Sequence, residues 1–144
     1  RREIHDTMME TAAPGIELFH GYTYSAHPLA CAAGLAMLET LEQEQLIARV
    51  RSLTPVLENA VHGLASLPGV VSVRNLGLAA GIELAVKDGQ PGLRGAMAQA
   101  AAFDFGVLTR APGDTLILAP PFVSEPEEIH QMVARLASAI ESTF

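Results

Sequence analysis

Tryptophan is absent from the 144 residues, and aromatic side chains make up only 5% of them. Packing therefore falls to Ala, Leu, Val and Ile. Cysteine occurs once, at Cys31, which rules out an intramolecular disulfide and a cysteine-rich metal site. Flanked by Ala30 and Ala32, it reads as a small hydrophobe set for burial. Lys87 is the only lysine, and it sits in the loop-like stretch Val86-Lys87-Asp88-Gly89-Gln90-Pro91-Gly92. His5, His20, His62 and His130 are scattered, without the spacing of metal ligands. No apolar run approaches the roughly 18–20 residues of a membrane span, and no secretory signal is visible, so the cytoplasm is the expected compartment. Basic residues are few, nine against sixteen acidic ones for a net charge of −7, which disfavours nucleic acid as a partner.

What is plentiful is aliphatic surface. Hydrophobic residues make up 49% of the chain and the mean hydropathy is +0.28, more than a soluble monomer needs. The excess reads as surface meant to be buried against another body. The length suits one domain. The opening Arg1-Arg2-Glu3-Ile4-His5-Asp6, without Met, reads as a cut within a longer protein.

Along the chain, residues 1–12 form a short helix or a linker. Pro14-Gly15 breaks the chain, and Ile16–Phe19 is a short apolar run. His20-Gly21-Tyr22-Thr23-Tyr24-Ser25-Ala26-His27-Pro28 is a loop. A helix is expected to start at Pro28, where proline loses no hydrogen bond, and to reach about Gln43. A second helix over 46–66 carries the stripe Ile47, Val50, Leu53, Leu57, Val61 and Leu64, with Pro55 either kinking it or starting a new turn. Strands are expected at Val70–Arg74, Leu78–Val86, Val107–Ala111 and Thr115–Ala119, the last two around a Pro112-Gly113-Asp114 hairpin. Residues 93–105 read as a helix stopped by Gly106. Ser124 to Glu127 reads as a capping box for a terminal helix with the stripe Ile129, Val133, Leu136 and Ile140. The implied fold class is α+β, a short and mostly antiparallel sheet with helices on one face.

Two places invite chemistry. Thr23 and Ser25 stand just ahead of a helix start, where unpaired N–H groups and the positive dipole end could hold a phosphate; composition alone favours plain N-capping there. Arg110 lies at a strand end beside a turn, and its guanidinium could grip a carboxylate through two parallel hydrogen bonds. Taken alone, such an arginine is most often a solvated charge.

The run His20 to Ala33 resembles a segment of class III aminotransferases, and its His-Gly-Tyr-Thr-Tyr-Ser form resembles the ω-amino-acid:pyruvate branch, which includes β-alanine:pyruvate aminotransferases. Val73 to Ala85 and Thr109 to Leu116 agree in the same order, so the likeness spans about Ile4 to Ile140. The resemblance implies the C-terminal portion of a fold-type I pyridoxal-phosphate (PLP) enzyme. Residues 1–27 would be a segment of the large domain with the phosphate-binding loop. Residues 28–144 would be the C-terminal small domain with its leading long helix. Thr23 and the backbone of Tyr22 would bind the PLP phosphate of a partner subunit, in a homodimer or higher homo-oligomer with shared active sites. Arg110 would bind the substrate α-carboxylate and swing aside for uncharged amines, with Gly113 easing movement of the loop. The substrates would be an amino acid and a keto acid. The lysine that forms the Schiff base, and the aspartate of the pyridine nitrogen, lie upstream in that family, so the chain by itself is expected to be inactive. Two other readings are a non-catalytic α+β dimerisation or ligand-binding module, and a portion of a 4-aminobutyrate or acetylornithine aminotransferase. The resemblance assigns no role to Arg74 and Asn75.

Overall fold

The computed structural model describes residues 1–11 and 21–144; Pro14-Gly15, the Ile16–Phe19 run and His20 lie outside them. The chain divides into two compact units, Arg1–Leu38 and Glu39–Phe144. In the first unit, α1 (Arg2–Thr11) is a helix that buries no side chain. Helix α2 runs from Pro28 to Gln43, over the expected bounds. The His27 carbonyl accepts the N–H of Cys31 at 2.9 Å, which closes the first turn around a proline with no N–H to lose. Although apolar, α2 buries none of its residues: Leu29 is 75% exposed and Leu35 63%. Cys31, expected inside, is exposed for the same reason. Its alanine neighbours belong to a helix surface rather than to a core.

The second unit is built on a three-stranded antiparallel sheet, β1 (Val70–Leu76), β2 (Ala79–Leu84) and β3 (Thr115–Leu118), in that order. Gly77 turns the chain between β1 and β2 at φ +56°, a conformation glycine adopts without steric cost. Strand side chains alternate between faces. Ala80, Ile82, Leu84, Leu116 and Leu118 are buried on one face, against α3 (Leu46–Gly63), α4 (Leu93–Asp104) and α5 (Pro126–Glu141). Helices α3 and α4 both pack on α5. The α5 stripe of Ile129, Val133, Leu136 and Ile140 is buried throughout, as its spacing predicts.

Several expectations are corrected. In α3 the buried stripe starts at Leu46, and Ile47 is half exposed. Pro55 lies inside α3 without ending it. Both Pro55 and Arg51, whose carbonyl loses its donor, are exposed, so water can replace the bond. The helix expected to reach residue 66 ends at Gly63 and finishes as a 3-10 turn, Leu64–Ser66. Val107–Ala111 is not a strand: Arg110 alone makes a bridge, to Ile117. The Thr109 hydroxyl donates to the Ile117 carbonyl at 2.6 Å and so takes the acceptor a longer ladder would need. The capping box of α5 is Glu125 with Glu128, one residue later than read from the sequence. Pro126 occupies the first helical position, which makes Glu125 the cap.

Arg49 of α3 ties the segment before α5 in place. Its guanidinium donates to the carbonyls of Phe122, Val123 and Ser124 and to Glu125 Oε1, the last at 2.7 Å. Leu57 is fully buried beneath the sheet. We expect Leu57→Ala to lower the unfolding free energy of the chain by about 2–5 kcal/mol, measurable by urea denaturation. A loss under about 1 kcal/mol would mean that this position is not core.

Candidate functional site

In the first unit, residues 21–27 form a tight exposed turn. The Ser25 N–H donates to the Tyr22 carbonyl at 2.9 Å, and the His27 N–H to the Tyr24 carbonyl at 3.4 Å. Ala26 adopts φ +58° to bring the chain round into α2. Tyr22 and Tyr24 are 72% and 87% exposed. The Thr23 and Ser25 hydroxyls therefore stand at the surface, one turn ahead of a 16-residue helix. No Asp or Glu occurs from Gly21 to Leu38. Hydroxyls, the first-turn amides of a long helix and an absence of carboxylates together suit an anion such as a phosphate ester.

In the second unit, the face of the sheet turned away from the helices is open. Strand register puts Arg74 opposite Gly81, Gly81 opposite Ile117 and Ile117 opposite Arg110. Directly paired residues project to the same side, so both arginines belong to the open face. A groove of about 480 Å³ runs along it, lined among others by Arg74, Leu76, Ala79, Gly81, Pro112 and Ile117. The Arg74 guanidinium lies beside Gly81, where an added Cβ would stand 3.5 Å from it. It is 3.8 Å from Glu83, a carboxylate that also accepts the Ser72 hydroxyl at 2.8 Å. Asn75 is paired with His62 at 2.9 Å. Arg110 is exposed, and its guanidinium makes no ion pair or hydrogen bond among the described residues.

The backbone around Arg110 is tied down. Its carbonyl accepts the Ile117 N–H at 2.7 Å. Four residues on, the Asp114 carboxylate accepts the N–H of Gly92 at 2.7 Å and of Gly95 at 3.0 Å. It thereby caps α4, whose own cap position is a glycine with no side chain to offer. Those two hydrogen bonds, Gly92 first, hold the Asp114 carboxyl below the usual aspartate range against the opposing effect of burial, with further help from the Arg94 backbone and charge. Sequence reading passed over Asp114 as a turn residue. The available signal was a helix starting after Pro91-Gly92 with nothing nearby to satisfy its first amides. Arg94 was missed as well. It is buried, donates to the carbonyls of Ala85 and Thr143 at 2.7 and 3.0 Å, and stacks on the Phe144 ring at 3.5 Å.

The turn of residues 21–27 and the loop of Arg110 coincide with two of the matching motifs, and the family model Aminotransferase class-III matches residues 3–140. The chain belongs to the class III aminotransferases. An omega-aminotransferase of Caulobacter vibrioides is 51% identical over 131 residues, covering 91% of this chain and 30% of the relative. A beta-alanine–pyruvate aminotransferase of Pseudomonas aeruginosa is 41% identical over 140 residues, covering 96% and 31%. The crystal structure of a thermostable omega transaminase six-fold mutant from Pseudomonas jessenii superposes with a TM-score of 0.80 at 29% identity, over 99% of this chain and 32% of that one. The chain thus spans about 30% of the length of the curated relatives it matches. The α+β class expected from the sequence agrees with this portion of a transaminase.

A depressed folded pKa means that the stabilisation from Asp114 is present above the unfolded aspartate value of about 3.9 and is lost as pH falls through the folded value. We expect Asp114→Ala to destabilise the chain by about 0.5–2 kcal/mol at pH 7. In urea titrations the gap from the parent should narrow as the pH is taken from 7 to well below the unfolded aspartate value of about 3.9. An equal gap at both pH values would argue against the cap.

Proposed function

We propose that this chain is the C-terminal portion of a PLP-dependent ω-amino-acid:pyruvate aminotransferase that works in the cytoplasm as a homodimer or higher homo-oligomer. In this reading residues 1–27 belong to the large domain, and residues 28–144 form the small domain with its leading helix. The observation that carries the reading is the exposed, carboxylate-free turn at the start of α2. Its hydroxyl-bearing residues Thr23 and Ser25 are exposed, as a cradle shared with a neighbouring subunit requires. The Thr23 hydroxyl and the Tyr22 backbone would hold the phosphate of PLP in the partner's site. The apolar surface of α2 would be covered in the same assembly. PLP, when bound, supplies the carbonyl group and electron sink on which amino transfer depends.

Arg110 would receive the substrate α-carboxylate. Its guanidinium has no competing carboxylate among the described residues, so it enters the encounter unneutralised. When the substrate is an amine without a carboxylate, the exposed side chain can turn toward solvent. The pyruvate branch is supported by the names and identities of the relatives. Lys87, the sole lysine, donates to the Thr143 carbonyl at 3.5 Å and stands in none of the three matching motifs. The 144 residues alone would therefore carry out no transamination.

In the full-length aminotransferase carrying this chain, we expect Arg110→Ala to raise KM for pyruvate about 10- to 100-fold, the loss of a charged hydrogen-bonded pair. Thr23→Ala should weaken PLP retention about tenfold, read by dialysis and cofactor absorbance. Unchanged KM and retention would refute both assignments. The 144-residue chain mixed with PLP should show no absorbance band that Lys87→Ala removes, and such a band would refute its expected inactivity.

A further inference from the structure

The loop that carries Arg110 is fastened at both ends, whereas the guanidinium itself has no partner among the described residues. At the near end, the Arg110 carbonyl and the Thr109 hydroxyl are bonded to Ile117, at 2.7 and 2.6 Å. At the far end, the Asp114 carboxylate spans the Gly92 and Gly95 amides, and the Asp114 carbonyl accepts the Leu84 N–H at 2.8 Å. Between them, Gly113 lies against α4 so closely that a Cβ on Gly95 would fall 2.0 Å from the Gly113 oxygen and 3.0 Å from the Asp114 Cα. Gly113 itself sits at φ +63°, the conformation that closes this turn. Its glycine therefore serves turn closure and contact with α4.

We infer that Asp114 and Gly95 are positioning residues for Arg110: they lock the Ala111–Asp114 turn onto the first turn of α4. Arg110 then changes place by side-chain rotation about a fixed Cα, never by movement of the loop. This rests on the reading of Arg110 as the carboxylate-binding residue and adds what determines its selectivity. A charge-assisted pair of hydrogen bonds at a helix N-terminus is among the stronger ways to hold a turn. A fixed Cα keeps the guanidinium's reach constant, so the same pocket can present it to a carboxylate or withdraw it without rebuilding the backbone.

The test uses the full-length, PLP-loaded aminotransferase carrying this chain. L-Alanine and sec-butylamine are compared as amino donors, since the second replaces the carboxylate with an ethyl group of similar size. We expect Asp114→Ala and Gly95→Ala to lower the ratio of kcat/KM for alanine over sec-butylamine about tenfold, because small misplacement of a binding group costs on that order. The loss should fall mainly on KM for alanine. Asp114→Asn, which keeps the shape and one acceptor, should give a smaller drop. A ratio within about twofold of the parent in all three variants, whatever the absolute rates, overturns the clamp if Arg110→Ala does lower the ratio. If Arg110→Ala leaves the ratio unchanged, the carboxylate-binding reading fails and the clamp falls with it.

Discussion

Ile82 pairs with Val73 on one side and Leu116 on the other, and this apolar row across the sheet is kept from water by α3, α4 and α5. Because strand side chains alternate, burying that row commits the neighbouring one to the opposite face. The second row is Arg74, Gly81, Ile117 and Arg110. One-sided burial thus places Arg110 on an open face, where a ligand can reach it. A slip of one residue in the register of β1 would send Arg74 to the core face, where an unpaired charge is strongly disfavoured. The hydrophobic pattern therefore protects the site as much as the fold.

The same unit shows how polar groups are used to hold irregular backbone. Arg49 gathers the carbonyls before α5, Arg94 joins those of Ala85 and Thr143, and Asp114 gathers the first amides of α4. Each replaces a local cap or turn bond with one from a distant part of the chain. These contacts satisfy backbone groups that would otherwise be left without partners, and they fix loops that carry no regular hydrogen-bond ladder.

The first unit has the opposite character. It displays an apolar helix and a turn of hydroxyls and amides, with little of either buried. Membership in the class III aminotransferases gives this exposure a physical context, since the chain corresponds to about a third of such a protein. The aliphatic excess read from the composition is matched by the apolar residues exposed on α2, among them Leu29, Leu35 and Leu38.

Much was legible in the residues themselves. Pro28 and the alanines that follow set the start of α2, the spacing of Ile129 to Ile140 set the buried stripe of α5, and Gly106 set the end of α4, because these are local consequences of backbone geometry and periodicity. The motifs around Tyr22, Thr23 and Arg110 were equally plain, because order and residue type survive in one dimension. The missing strand at 107–111, the shifted cap at Glu125, the exposed Cys31 and the reach of Asp114 to α4 were not. Each depends on a partner far along the chain or on a surface left uncovered, and only the folded arrangement decides which groups meet and which stay exposed to water.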